Sequence, residues 1–205
     1  RDTLSTHALL RTAVLQLKRA GVLQAVVDAG TPPVRTITLG FGESLVNFAL
    51  RPEHGVDSLY APRRTVLDML LLESAADAGA DVALGRTVVE LIRRDDGRAC
   101  GLVVDHGRAI TARMVVGADG RRSTVAELVG APTLRASTGA SAAVYSYFDG
   151  VPDPGFDFRF APGMSTSAIP TNDGLTLIAT NVPSAHLGTP GEAFHRVLRT
   201  LAPDL

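Results

Sequence analysis

Met114-Val115-Val116-Gly117-Ala118-Asp119-Gly120-Arg121-Arg122-Ser123 is the stretch on which the fold of this chain turns. Its three leading apolar residues predict a short strand of the kind buried in a parallel sheet. The strand runs through Gly-x-Asp-Gly into a helix over 124–129. Thr124-x-x-Glu127 there has the spacing of a capping box, and Gly130 supplies the exit. This order places Asp119 at the carboxyl end of a sheet, where open α/β sheets bind ligands. The glycines let backbone approach a bulky group, and the Asp119 carboxylate can accept hydrogen bonds from sugar hydroxyls. The helix start with Arg121 and Arg122 suits phosphate. An ordinary strand-to-helix turn uses the same residue types, because Gly and Asp stabilise turns locally.

Upstream, 81–116 is strand country. Short strands are expected over 82–84 and 87–92, Asp95-Asp96-Gly97 turns the chain, 99–104 runs back, and His106-Gly107 turns it again. Before them lies the clearest helix pattern. Thr65-x-x-Asp68 has a capping-box spacing, Leu67, Leu70, Leu71, Ala75 and Ala78 follow, and Gly79 ends the run. Polar positions are few there, so this helix is expected to be buried on most sides. Residues 34–50 alternate around a turn at 40–43 and predict a hairpin. Residues 4–20 and 22–29 carry helical spacing, closed by Gly21 and Gly30.

Downstream of Pro132 the texture changes. Aromatic, alternating segments over 141–182, separated by Gly, Pro and Asp turns, predict an antiparallel sheet. Phe194, Val197, Leu198 and Leu201 then mark one face of a final helix over 191–201. The fold class expected is α/β: a partial, nucleotide-binding Rossmann-like domain with a three-stranded β-meander, interleaved with a second, antiparallel-sheet domain.

Composition bounds the function. The 205 residues are 45% hydrophobic and 20% charged, enough for a real core. A formal net charge of -1 gives no electrostatic reason to expect nucleic acid as a partner. No apolar run approaches the ~20 residues of a membrane span. Cys100 stands alone, so neither an intrachain disulfide nor a Cys-rich metal site is available, and a reducing, cytoplasmic compartment fits. His54, His106, His186 and His195 lack metal-ligand spacing, no Gly-x-Ser-x-Gly elbow supports a hydrolase, and the aromatics at 145–160 have no interleaved basic residues for base stacking.

Three stretches, in order, resemble one family. VVGADGRRSTV (115–125) is similar to the Asp-Gly motif of the FAD-dependent hydroxylases related to para-hydroxybenzoate hydroxylase and geranylgeranyl reductase. RRTVLDMLLLESAADAGADV (63–82) resembles that family's Arg-x-x-Leu-Asp helix and the strand after it. RDTLSTHALLRTAVLQLKRAGVL (1–23) resembles its loop and helix after the second strand of the FAD domain, and the tail from Ala143 resembles its substrate-domain sheet.

The resemblance implies that Asp119 and Gly120 line the channel used for FAD and for approach of NAD(P)H. It implies that Arg64 reaches toward FAD, with Arg63 as the adjacent alternative and a surface or capping arginine as the plainer reading. Ser5, Thr6 and His7 would lie where the family's chain passes the flavin; a helix-start histidine with a satisfied ring is the other reading of His7. Val88 would offer backbone groups to adenine. The family's Gly-x-Gly-x-x-Gly loop and its second Gly-Asp motif do not occur here. With no methionine at Arg1, the chain is expected to be an internal piece, inactive alone, with those motifs on either side. FAD-binding segments are expected over 1–30 and 56–135, and substrate-domain segments over 31–55 and 136–205.

The function so implied is an FAD-dependent oxidoreductase, a monooxygenase driven by NAD(P)H and acting on a small aromatic or apolar organic molecule. Flavin-dependent reduction of prenyl double bonds and a non-catalytic α/β binding module are the alternatives. No residue here stands out as an obligatory general acid or base.

Overall fold

The computed structural model describes Ser5 and residues 7–137, 139–152 and 155–204. The chain divides into two compact units, Arg1–Ala80 with Gly139–Leu205, and Asp81–Thr138. This division follows packing, and it cuts the chain at different points from the division by ligand expected above.

In the larger unit, helices α1 (Arg11–Arg19) and α2 (Leu23–Asp28) lead into the hairpin β1 (Thr36–Phe41) and β2 (Ser44–Ala49). Helix α3 (Arg64–Asp77) follows. After the smaller unit, the chain returns as β6 (Ser141–Phe148), β7 (Phe156–Ala161), β8 (Met164–Pro170), β9 (Thr176–Pro183) and helix α5 (Pro190–Leu201). The smaller unit holds β3 (Val88–Arg93), β4 (Ala99–Val104), β5 (Arg108–Thr111) and helix α4 (Thr124–Val129). The mixed α/β class expected from the sequence is the class observed.

Six strands form one sheet in the order β2-β1-β7-β8-β9-β6, antiparallel except where β1 runs parallel to β7. Period-two alternation gives this sheet two apolar faces. Phe156, Ile169 and Leu177 pack on one side with Val34, Leu59 and Ala61. Ala168 and Ile178 point to the other, where Phe194 of α5 covers them. Near the chain start, Leu17, Val22 and Val26 form a separate cluster against which Leu67 and Leu70 of α3 pack. The meander β3-β4-β5 is antiparallel throughout, as its turns predict.

Four local expectations are corrected. The first helix begins at Arg11, and residues 7–10 are not helical: Leu9 donates its N–H to the carbonyl of Tyr60 at 2.8 Å, and that bridge holds Leu9 out of the helix. Leu4 and Thr6 of the expected helix lie outside the described residues. Residues 82–84 form no strand. Nor do 114–116: Met114 is 69% and Val116 75% exposed, because no neighbouring strand pairs with them. Finally, no residue of α3 is fully buried. Its Leu67/Leu70 face packs, while Met69 and Leu71 face outward.

Candidate functional site

The Asp-Gly turn is built from its own side chains. Ser123, not the expected Thr124, caps α4, its Oγ accepting from the N–H of Ala126 at 2.9 Å. Asp119 reinforces this start: its carboxylate accepts from the Ser123 hydroxyl and, at 3.1 Å, from the N–H of Val125. Those two bonds, the Ser123 bond foremost, hold the Asp119 carboxyl below the usual carboxylate range. First-turn N–H groups that the sequence offered to phosphate are thus engaged within the chain. At the C-terminal end of α4, Gly130 takes the left-handed conformation expected of it.

The glycines of the turn differ in what they permit. A Cβ at Gly117 would come within 2.9 Å of Val125, so glycine there lets the incoming chain lie against the helix. Gly120 has φ 83° and open space where a Cβ would stand. Such backbone can be approached by a bulky ligand, and Asp119 beside it is an exposed, ionised acceptor. This open, acceptor-bearing turn fits the hydroxyl-rich part of FAD. Val88, at the start of β3, pairs in register with Val104, and a bulge follows before Glu90.

The larger unit holds the other candidates. Arg64 Nε and Nη2 donate to Asp68 at 2.7 and 2.9 Å, an i,i+4 pair on the face of α3, and that bonding raises the guanidinium's pKa. Asp68, expected in a capping box with Thr65, is occupied by Arg64 instead. The N-cap is Arg63, and no side chain caps it locally.

Arg63, the alternative to Arg64, lies in a polar and aromatic cluster. Its guanidinium sits over the Tyr147 ring, 4.9 Å from the centroid, and Nη1 donates to Asp173 at 3.2 Å. Tyr147 Oη and His7 Nε2 share a hydrogen bond of 2.6 Å. His7 is 3% exposed and has φ 60°, with its N–H donating to Ser5 Oγ at 3.0 Å. Ser5 and His7 are therefore brought together with Tyr147 and Arg63; Thr6 lies outside the described residues. Below the cluster, buried Asn172 accepts from the Arg63 N–H at 2.9 Å. It also donates to Ala29 O and Thr31 Oγ at 3.0 and 2.9 Å.

Tyr147, Asn172 and Asp173 did not stand out in the sequence. Tyr147 reads as one aromatic of an alternating strand, and Asn172-Asp173-Gly174 reads as a turn. Among the described residues, no group of three or more His, Cys, Asp or Glu could hold a metal ion, and no helix is long and apolar enough to cross a membrane.

A family model described as FAD binding domain matches residues 6–154. The chain is 31% identical over 130 residues to menaquinone reductase of Mycolicibacterium smegmatis, a stretch covering 63% of this chain and 31% of that protein. It is 30% identical over 116 residues to rifampicin monooxygenase of Streptomyces venezuelae, covering 56% of this chain and 23% of that protein. Its fold matches crystalline PqsL of Pseudomonas aeruginosa in complex with 2-aminobenzoylacetate, with TM-score 0.79 at 16% identity, over 95% of this chain and 56% of that one. The chain thus spans less than a third of the length of these curated relatives. With most of its length matched in sequence and its fold in agreement, the chain belongs to the FAD binding domain family.

Proposed function

We propose that the full-length protein is an FAD-dependent oxidoreductase that draws electrons from NAD(P)H and hydroxylates an aromatic or apolar organic molecule in a cytoplasmic setting. Family membership together with the identity to rifampicin monooxygenase carries this reading. The aromatic ligand of PqsL supports the substrate class. Bound FAD would supply the electron transfer and oxygen activation that no side chain provides.

The chain's own part is to bind and to orient. Asp119 would accept hydrogen bonds from hydroxyl groups of FAD, and Gly120 would leave its backbone open to contact. Arg64 has N–H donors beyond the two it gives Asp68, and these could reach a polar edge of the cofactor. Ser5, Thr6 and His7 would border the flavin, and the Val88 peptide groups would face adenine. Under this reading 1–30 and 56–135 serve the cofactor, while 31–55 and 136–205 serve the substrate.

Anaerobic mixing of the FAD-loaded full-length protein with NADH or NADPH tests it. Loss of the oxidised-flavin absorbance with one nicotinamide, followed by heavy-oxygen label from O2 in the product, is expected. No bleaching with either nicotinamide contradicts the reading. The identity to menaquinone reductase favours a second reading, flavin-dependent reduction in place of oxygen insertion, of which reduction of prenyl double bonds is the case expected from the sequence. In that case bleaching occurs, but the product gains hydrogen and no label.

A further inference from the structure

The hairpin of β1 and β2 ends one side of the six-stranded sheet, and the outer edge of β2 pairs with no other described strand. Edge strands are commonly guarded by charges, proline or a bulge, which stop them pairing with another chain. β2 has none of these guards. Ser44–Ala49 carries no charge and no proline, and its register with β1 is unbroken. Every residue of the strand is exposed, Leu45, Val46 and Phe48 among them. We propose that this edge is a homodimer interface, on which β2 of a second copy pairs antiparallel about a twofold axis at Asn47.

Backbone polarity sets the register. The N–H of Leu50 donates to Arg35 O at 2.7 Å, so by period two Ser44, Val46 and Phe48 also turn their peptide groups to β1. Leu45, Asn47 and Ala49 therefore direct theirs outward. An antiparallel copy centred on Asn47 sets Leu45 against Ala49 and Asn47 against itself, which engages all three outward residues. A shift of two residues in either direction carries one of the three off the end of the facing strand.

The same centre brings opposite charges together. Glu43 and Arg51 flank β2 at equal distances along the chain from Asn47, and both are exposed. Among the described residues, neither side chain forms an ion pair or a hydrogen bond. In the dimer each Glu43 lies across from Arg51 of the other copy, and the twofold axis repeats the pair. On the opposite face of β2, Val46 and Phe48 stand beside Leu39 and Ile37. That face continues to the stacked, exposed rings of Phe41 and Phe160, 5.4 Å apart. Val46 would meet Phe48 of the second copy there, so two open apolar faces become one. A strand complementary to itself in backbone, charge and apolar side chains points to a second copy, not to an unrelated chain.

This interface does not rest on the flavoenzyme reading, so the two can fail separately. Sedimentation of the full-length protein over about 1–100 μM should show a monomer–dimer equilibrium. Glu43→Arg and Arg51→Glu each set like charges opposite one another, and each should weaken the dimer at least about tenfold. Mixing the two single variants should restore it, because every facing pair in the mixed dimer is again opposite in sign. Such recovery cannot come from misfolded chains. Leu45→Lys places a charge on the bare edge and should leave monomer throughout, with a urea midpoint near the parent's. A monomeric parent, a dimer indifferent to the reversals or to Leu45→Lys, or no recovery on mixing overturns the proposal and leaves the FAD reading intact.

Discussion

The backbone N–H of Arg63 donates to Oδ1 of Asn172 at 2.9 Å, joining residues 109 positions apart. Because Arg63 is the N-cap of α3, this bond fixes where that helix begins and where the guanidinium over Tyr147 stands. Asn172 is 1% exposed and also ties down Ala29 O and Thr31 Oγ. Asn172→Ala strips partners from several groups at once. A loss of about 2–4 kcal/mol is expected in urea unfolding, since each buried group left unsatisfied costs about 1–3 kcal/mol. A loss below about 0.5 kcal/mol would mean that the turn does not anchor the helix.

A second anchor closes the C-terminal end of α5. Arg159 on β7 donates to buried Asp157, with Nη2 at 2.8 Å, and pairs with Asp204 through both terminal nitrogens. Arg159→Ala would leave Asp157 charged and buried, so about 3–5 kcal/mol of destabilisation is expected. Asp204→Asn removes the half-exposed partner and should cost no more than about 1 kcal/mol. Urea midpoints of the two variants check the order; equal losses contradict it.

The same cluster sets an acid dependence. Hydrogen bonding to Arg159 lowers the Asp204 pKa in the folded chain. A lowered folded pKa means the stabilisation is fully present above the unfolded carboxylate value of about 4, and it is lost as pH falls through the folded value. Arg159, whose own pKa is raised by Asp204 and Asp157, stays charged across this range. Urea midpoints should therefore fall below about pH 4 in the parent chain, and fall less in Asp204→Asn. Identical acid profiles for the two would remove Asp204 from the account.

At the Asp-Gly turn, Ser123→Ala deletes the cap of α4 and should cost about 0.5–2 kcal/mol. Asp119→Asn should lower FAD affinity while barely moving the urea midpoint, because Asp119 is exposed and asparagine keeps an acceptor for Val125. Equilibrium FAD titration beside unfolding separates the two effects. Unchanged affinity would leave Asp119 a local structural residue.

Elements whose cause is local were legible in the sequence. The meander turns at Asp95-Asp96-Gly97, the hairpin turns at 40–43, and the apolar stripe of α5 all formed where turn chemistry and periodicity placed them. Distant partners decided the rest. Leu9 is extended because Tyr60 pairs with it, β1 joins the large sheet through β7, and 114–116 remains unpaired although its composition suits a strand. The same holds for the candidate site. Asp119 and Gly120 carry their signal within a few residues, whereas the partner that singles out Tyr147 lies 140 positions away.

The most direct test of the central claim is the visible absorbance spectrum of the purified full-length protein, before and after incubation with FAD and removal of the excess. The account predicts the paired absorbance bands of bound flavin at one FAD per chain. A folded protein that stays colourless after incubation would contradict it.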